Sequence, residues 1–425
     1  MQERVKKKLL ITASTFPRFR GDTEPRFILD LAKELQKYFD VTVLAPASPD
    51  AAPAEELEGI TVERYRYFPL RRLETLCYPG AIVPRIREKK ARILLVPFLF
   101  TGLYIALFRR RKQYDYVHAH WLIPQGIVQS IFQIPYIVTG HGGDVTSLNG
   151  GIFRLLKRHA VEKAAAVTVV SRALKDELLA LFPEASRERI SAKLFVQPMG
   201  CDTERFRNTH SCDAEPLPGN SRQAFKASPG STAAAHMPKP RKTVLFVGRL
   251  AEKKGVKYLI EAMQWIDAEL LIAGDGPLRE ALVQETARLN LTDKVRFLGA
   301  MSHEELPRVY ASADIFAAPS VTARDQDKEG FGLVILEAMA SGLPVVASRS
   351  GGITDLIRDG WNGLLAEEKD SRDLAVNINR LFTEPELYSK LVENMKDTVQ
   401  KYSYTQVGKA YAEIIRSSMA SRTDR

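Results

Sequence analysis

An α/β fold with two doubly wound parallel sheets is what this sequence predicts, and three observations predict it. Residues 8–13 (KLLITA) form an apolar strand pattern, followed by a loop with Pro17 and Gly21 and a helical pattern over about residues 25–38. Residues 243–248 (TVLFVG) open in the same way, followed by a loop with Lys253, Lys254 and Gly255 and a helical pattern over 256–263. Each opening leads to a second apolar run, at 41–44 and 270–273. Strand, Gly-containing turn, helix, strand is the repeating unit of a Rossmann-like sheet. The third observation is length, since 425 residues exceed one ordinary core. Between the openings, residues 208–241 are rich in Pro, Ser, Ala and Gly and read as a flexible linker or insertion. The expected division is therefore a first domain over 1–207, the linker over 208–241, a second domain over 242–401 and a last helical segment over 402–425.

Composition narrows the function classes. Hydrophobic residues make up 45% and charged residues 26%, both globular values. Three cysteines (Cys77, Cys201, Cys212) have no metal-ligand spacing and fit a reducing cytosol. The start, MQERVKKKLLITAS, runs from a charged leader straight into a strand and does not read as a signal peptide. Residues 1–200 carry 31 Lys and Arg against 20 Asp and Glu, whereas the remainder carries 30 against 31. An anionic surface or acceptor is thus expected to meet the first half only. Zinc patterns, RNA-binding aromatic signatures and helix-turn-helix context are missing, which argues against nucleic acid.

Among the candidate site residues, the second half holds the densest group. In Glu329-Gly330-Phe331-Gly332-Leu333 through Glu337, two carboxylates stand eight residues apart around a Gly-Phe-Gly step. A helix over 331–341, stopped by Gly342, would place the glycines at its N-terminus. Free N–H groups and the helix dipole there suit a phosphate. Glu329 and Glu337 can then hold hydroxyls, one on a reacting sugar and the other on a ribose. The same spacing also fits a buried helix whose glutamates form salt bridges. Arg249 and Lys254, in the loop ending the strand at 243–248, can both reach a diphosphate, or can form a solvated basic turn. Gly274-Asp275-Gly276-Pro277 ends the next strand and lets the backbone approach a base or diphosphate, although many tight turns look alike.

In the first half, His141 and Asp144 lie in TGHGGD at a strand end, and His118 and His120 lie in HAH at another. His141 can donate a hydrogen bond to a sugar hydroxyl or a developing charge. His118 reads as a core residue, whereas His120 and His141 are expected to face the ligand. A metal is not expected, because no acidic cluster completes the histidine set. Gly21-Asp22 either approaches the donor phosphates or makes a plain connecting turn. Residues 93–108 (ILLVPFLFTGLYIALF) are apolar between basic clusters. They are expected to form a buried crossover helix, the competing reading being a peripheral contact with an anionic membrane.

Together these motifs resemble the retaining GT-B glycosyltransferases of family 4 (glycosyl transferases group 1). The resemblance covers nearly the whole chain apart from 208–241 and is densest over 243–365. There GRLAEKKG, AGDGP, FLGAMSHEELPRVYASADIFAAPS and EGFGLVILEAMASGLPVV follow the family's order and spacing. FPRFRGDTEPRF, HAHWLIPQG, TGHGGD and MGCDTERF extend it through the first half. The resemblance implies two Rossmann-like domains facing across a cleft, with the last helix returning to the first domain. It implies transfer of a sugar from a nucleoside diphosphate to an acceptor hydroxyl, with retention and without a divalent metal or cofactor. Glu329, His141, Arg249 and Lys254 would be catalytic. Gly21, Gly274, Asp275, Gly276, Phe331, Gly332, Leu333 and Glu337 would hold the donor, and the turn at 296–299 would lie near its base. His120 and Asp144 are acceptor-side candidates, for a lipid-linked, glycolipid or polysaccharide acceptor. Two departures stand out: Gly21-Asp22 replaces the family's paired glycines, and VTARDQDK lengthens the segment before Glu329. A sugar-nucleotide epimerase, a hydrolase or a non-catalytic binder is the alternative.

Overall fold

The computed structural model describes residues 6–78, 80, 82–207 and 242–420. The residues read as a linker, 208–241, lie outside the described residues, as do Cys212 and the tail after Ala420. The first sheet comprises β1 (Lys8–Thr12), β2 (Asp40–Pro46), β3 (Ala54–Leu57), β4 (Ile60–Tyr65), β5 (Tyr116–His120), β6 (Tyr136–Gly140), β7 (Ala166–Val169) and β8 (Leu194–Val196). Its order is β3-β4-β2-β1-β5-β6-β7-β8, parallel except where β3 runs against β4. The second sheet comprises β9 (Thr243–Val247), β10 (Glu269–Ala273), β11 (Val295–Gly299), β12 (Ile315–Ala318), β13 (Val345–Ser348) and β14 (Leu364–Ala366). Its order is β11-β10-β9-β12-β13-β14, parallel throughout. All five residues of β5, β6 and β9 are buried. Burial on both faces is why these strands read as continuous apolar runs rather than alternating ones.

Each sheet has a topological switch point. In the first, the chain leaves β1 towards β2, whereas β5, β6, β7 and β8 build outward on the other side of β1. In the second, β10 and β11 extend one way from β9, and β12, β13 and β14 the other. Right-handed crossovers on opposite faces leave a crevice between β1 and β5, and another between β9 and β12, at the strands' carboxyl ends.

The described chain divides into two compact units: Met1–Cys201 with Ala323–Phe331 and Gln400–Arg425, and Asp202–Thr322 with Gly332–Val399. These limits differ from the boundaries read from composition at 207 and 401. Residues 202–207 join the second unit because Phe206 is buried edge-on against Tyr310, ring centroids 5.5 Å apart. Helix α1 (Phe27–Leu35) and the last helix, here α6 (Tyr404–Ala420), pack together in the first unit. A Cβ on Gly408 would lie 2.5 Å from the Glu34 Cβ, so glycine permits that approach. The Tyr411 hydroxyl of α6 donates to the Gln197 carbonyl at 2.8 Å.

Helix α2 (Val96–Arg110) corrects the expectation of a buried crossover. Leu99, Gly102, Leu103, Ala106 and Leu107 face inward, but Phe98, Tyr104, Ile105 and Phe108 are exposed. The apolar run therefore covers both faces of a helix of which only one meets the sheet. Helix α3 (Gly151–Lys163) bridges β6 and β7, and α4 (Val256–Ala262) bridges β9 and β10.

The turn from β9 into α4 hinges on Gly255, which adopts φ +63° with its α-carbon against the Pro319 carbonyl. An added Cβ would sit 1.8 Å from that oxygen, and the obstacle is backbone. Gly255→Ala is expected to lower stability by at least about 2 kcal/mol, combining left-handed strain with the clash. Chemical denaturation of the purified variant measures this, and an unchanged midpoint would show that the β9 and β12 loops can separate freely.

Candidate functional site

In the second unit, the loops at the crevice pack backbone on backbone. Gly248 donates its N–H to the Ala273 carbonyl at 2.9 Å, and Leu250 donates to the Asp275 carbonyl at 2.9 Å. A Cβ on Gly274, at φ +147°, would lie 1.9 Å from the Gly248 oxygen, and one on Gly276 would lie 2.6 Å from the Leu250 oxygen. The β9 and β12 loops are tied together, the Val321 N–H donating to the Lys253 carbonyl at 2.8 Å. Arg249 and Lys254 are both partly exposed on the β9 loop, and the Lys254 Cε lies 3.6 Å from where a Gly248 Cβ would stand. These two cations border the crevice where open α/β sheets bind ligands.

Helix α5 spans Leu333–Ala340, two residues shorter at its start than the pattern suggested. Gly332 caps it at φ +96°, which excludes Phe331 and Gly332 from the helix. Glu337 is accordingly the fifth residue of α5, little more than one turn from its N-terminus. Its Oε2 accepts a hydrogen bond from the Tyr310 hydroxyl at 2.8 Å, which orients the carboxylate. The segment 296–299 is not a turn but most of β11, and Arg296 pairs with Glu269 at 3.0 Å. Gly299, at φ +80°, ends that strand.

Glu329 and Phe331 belong to the first unit with His141. Gly330 presses on the His141–Gly142 turn: a Cβ there would meet the His141 carbonyl oxygen at 2.4 Å. Phe331 is buried edge-on against Tyr402, 5.3 Å between centroids. The TGHGGD turn is organised by Asp144, whose carboxylate accepts from the backbone N–H groups of Leu122 (2.8 Å), His141 (3.0 Å) and Gly142 (3.0 Å). Burial nevertheless raises the Asp144 pKa, outweighing those bonds. With its oxygens so engaged, Asp144 braces the turn rather than presenting an open carboxylate. Lys157 of α3 does related work: its buried ammonium donates to the Val145 and Ser147 carbonyls and to Asn149 Oδ1, and burial lowers its pKa to about 8.

The three histidines stack. His118 and His120 lie 4.1 Å apart between centroids, and the His120 and His141 rings are 5.2 Å apart and nearly parallel. His118 is buried as expected, its Nε2 bonded to Thr139 at 2.8 Å. His120 is also wholly buried, which corrects its assignment to the acceptor side. A period of two places alternate strand residues on one face, but in β5 both faces are covered. The His120 Nδ1 and His141 Nε2 atoms are 3.0 Å apart, so one of them carries the proton. His120 Nε2 is buried without a partner. A proton there would strand a donor, so His120 Nδ1–H donates to His141 Nε2. His141 then keeps its own proton on Nδ1. Burial holds His118 and His141 at about 3, and His120 well below its ordinary value. All three are neutral at pH 7.

Sequence reasoning missed the aromatic frame of His141. Phe27 and Trp121 flank it, with centroids 5.2 Å and 5.0 Å away, and Trp121 adopts φ +76°. Two aromatics 94 positions apart carry no joint sequence signal. Gly21, at φ +82°, is exposed with open space around it. Its neighbour Asp22 is buried and grips the guanidinium of Arg18 (2.8 Å and 2.9 Å), so this carboxylate holds its own loop together. In the lengthened segment before Glu329, Asp325 pairs with Arg87 (2.6 Å) and Lys328 with Glu177 (3.9 Å).

Known proteins resemble this chain in sequence and fold. The profile for Glycosyltransferase Family 4 matches residues 25–205, and that for Glycosyl transferases group 1 matches residues 232–398. An uncharacterized glycosyltransferase of Methanocaldococcus jannaschii is 30% identical over 385 residues, covering 87% of this chain and 88% of its own. Sucrose-phosphate synthase from Thermosynechococcus elongatus shares the fold with a TM-score of 0.72 at 21% identity, over 98% of this chain and all of the other. The Anabaena protein HepE in complex with UDP and glucose does so with a TM-score of 0.68 at 22% identity, over 97% of this chain and all of the other.

The histidine stack makes stability depend on pH. Unfolded, each ring titrates near 6.5, whereas folded His118 and His141 titrate at about 3. Between these values the unfolded chain binds protons that the folded one refuses, so stability falls as pH falls from about 6.5 towards about 3. Each ring contributes a slope of about 1.4 kcal/mol per pH unit in that window. Melting temperatures measured from about pH 7 to about pH 4 are expected to drop steadily, and less steeply in His118→Gln. Parallel curves for parent and variant would remove His118 from the effect.

Proposed function

The chain belongs to the family 4 glycosyltransferases and has their GT-B fold, and from that premise we propose that it moves a sugar from a nucleoside-diphosphate donor to an acceptor hydroxyl with retention of anomeric configuration. The observation that carries the donor assignment is the crevice between β9 and β12. Glycines 248, 274 and 276 bring backbone to its edge with Arg249 and Lys254 on the same loop. That HepE has been crystallised with UDP and glucose supports a nucleotide-sugar ligand for this fold.

In this reading Arg249, Lys254 and the N-terminus of α5, with the backbone from Phe331 to Leu333, hold the diphosphate and stabilise the charge that grows on it. Glu337, oriented by Tyr310, takes the ribose hydroxyls. Gly274, Asp275 and Gly276 line the nucleoside. Glu329 holds hydroxyls of the transferred sugar, and neutral His141 donates a hydrogen bond from Nδ1 to it. The acceptor oxygen attacks the anomeric carbon on the face from which the diphosphate departs, and a phosphate oxygen takes the acceptor proton. No divalent metal or cofactor enters this scheme: the cations are protein side chains. The acceptor is a lipid-linked, glycolipid or polysaccharide hydroxyl in cell-surface synthesis. The reaction belongs in the cytoplasm, on the inner face of the membrane, and the free buried thiol of Cys77 supports a reducing compartment.

Glu329→Gln and Lys254→Ala are each expected to lower transfer at least about a hundredfold with the melting temperature kept, since one lost electrostatic contact at a growing charge is worth roughly 3 kcal/mol. Radiolabelled sugar transfer measures this, and near-normal turnover in a folded variant would dismiss that residue from its role. Activity in EDTA should equal activity with added Mg²⁺ or Mn²⁺. Loss in EDTA that metal restores would overturn the metal-free scheme.

A further inference from the structure

The strongest unexplained feature is the outer face of α2 and of the 3₁₀ turn before it. Ile93 (58% exposed), Leu94 (71%), Phe98, Ile105 and Phe108 all face outward, and no charged residue lies between Ile93 and Phe108. A water-facing crossover helix ordinarily carries Lys and Glu on such a stripe. The apolar surface continues on neighbouring elements of the same layer. Helix α2 contacts the short helix Ile127–Gln129, which contacts α3. Ile131 beside the first, and Ile152 and Leu155 on α3, are each at least 60% exposed.

Both ends of the stripe are basic. Lys89 and Lys90 precede it, and Arg109, Arg111 and Lys112 follow it; all five are exposed, and none forms an ion pair among the described residues. The acids nearby are engaged elsewhere: Glu88 with Arg85 and Arg92, Glu63 with Arg110, and Asp115 with Lys7. Arg111 lies over the Phe108 ring at 3.8 Å, joining cation and apolar surface at one edge.

Residues Lys90–Arg110 are long and apolar enough to cross a bilayer, but the packing argues against a span. Gly102 is pressed on the Arg66–Tyr67 backbone, where a Cβ would lie 2.7–2.8 Å from backbone atoms. Arg110 is anchored to Glu63 of β4. Leaving the sheet would expose Leu99, Leu103 and Leu107 and an edge of the first core.

We propose that this face docks the first unit on a bilayer containing anionic phospholipid, with α2 lying in the plane of the interface. Phe98, Ile105 and Phe108 enter the headgroup–acyl boundary, and the five cations meet lipid phosphates. The charge pattern selects this occupant over a second copy of the chain, since the facing copy would bring the same uncompensated cations. The proposal deepens the membrane-side acceptor reading above, but its test needs neither donor nor acceptor.

Cosedimentation with phosphatidylcholine vesicles containing a quarter phosphatidylglycerol tests it, beside vesicles of phosphatidylcholine alone. The parent is expected to bind the anionic vesicles at low salt and to release as salt rises. Two variants are compared, Phe98→Glu with Ile105→Glu, and Arg109→Gln with Arg111→Gln and Lys112→Gln. Each should weaken partitioning at least about tenfold without moving the melting temperature. Failure of the parent to bind, undiminished binding by the first variant, or a parent dimer that this variant dissociates would each overturn the proposal. Transfer to a water-soluble acceptor analogue would survive such a failure, which separates it from failure of the glycosyltransferase reading.

Discussion

Direct backbone-on-backbone packing at the strands' carboxyl ends is the constraint on which the rest of this structure depends. At Gly255, Gly274 and Gly330 an added Cβ would lie within 2.4 Å of a carbonyl oxygen. In the second unit these contacts lock the β9 loop to the β10 and β12 loops, so Arg249 and Lys254 project from a rigid rim. In the first, Gly330 holds Glu329 next to the His141 turn. Side chains at these points would push the loops apart and take the charged groups out of register, because the obstacles are main chain and cannot rotate away.

Electrostatic character divides along the same lines. The second unit's crevice is bordered by an arginine and a lysine, suited to an anionic leaving group. Around His141 the rings are all neutral: three stacked histidines and two aromatic neighbours, beside an aspartate whose oxygens are taken up by backbone N–H groups. Such a site offers directional hydrogen bonds without a competing positive charge. The His120–His141 bond sets which His141 nitrogen carries its proton, so a wholly buried residue fixes the tautomer of a partly exposed one.

The excess of positive charge in the first 200 residues has two separate structural fates. Part of it is internal: Arg18, Arg26 and Arg64 brace loops through Asp22, Glu58 and Glu55. A second part, Lys89, Lys90, Arg109, Arg111 and Lys112, stands at the two ends of an apolar helix face and forms no ion pair among the described residues. Net charge by itself did not separate these groups; ion pairing did.

The sequence by itself determined the two parallel sheets, the strand-end position of the Arg249–Lys254, Gly274–Pro277 and His141–Asp144 motifs, and the family. Each of these rests on local pattern: an apolar run buried on both faces, a glycine-rich turn after it, and a helix period following. Tertiary structure alone decided the rest. It began α5 at Leu333 rather than Phe331, because the left-handed φ of the Gly332 cap is invisible in an apolar run. It buried His120, since period two assigns a residue to a face but cannot say whether that face is covered. It exposed one side of α2, where hydropathy cannot distinguish a core helix from one with an uncovered apolar face. It gave residues 323–331 to the first unit and 202–207 to the second, because compact units are defined by contacts between residues far apart in the chain, and composition along the chain carries no record of them.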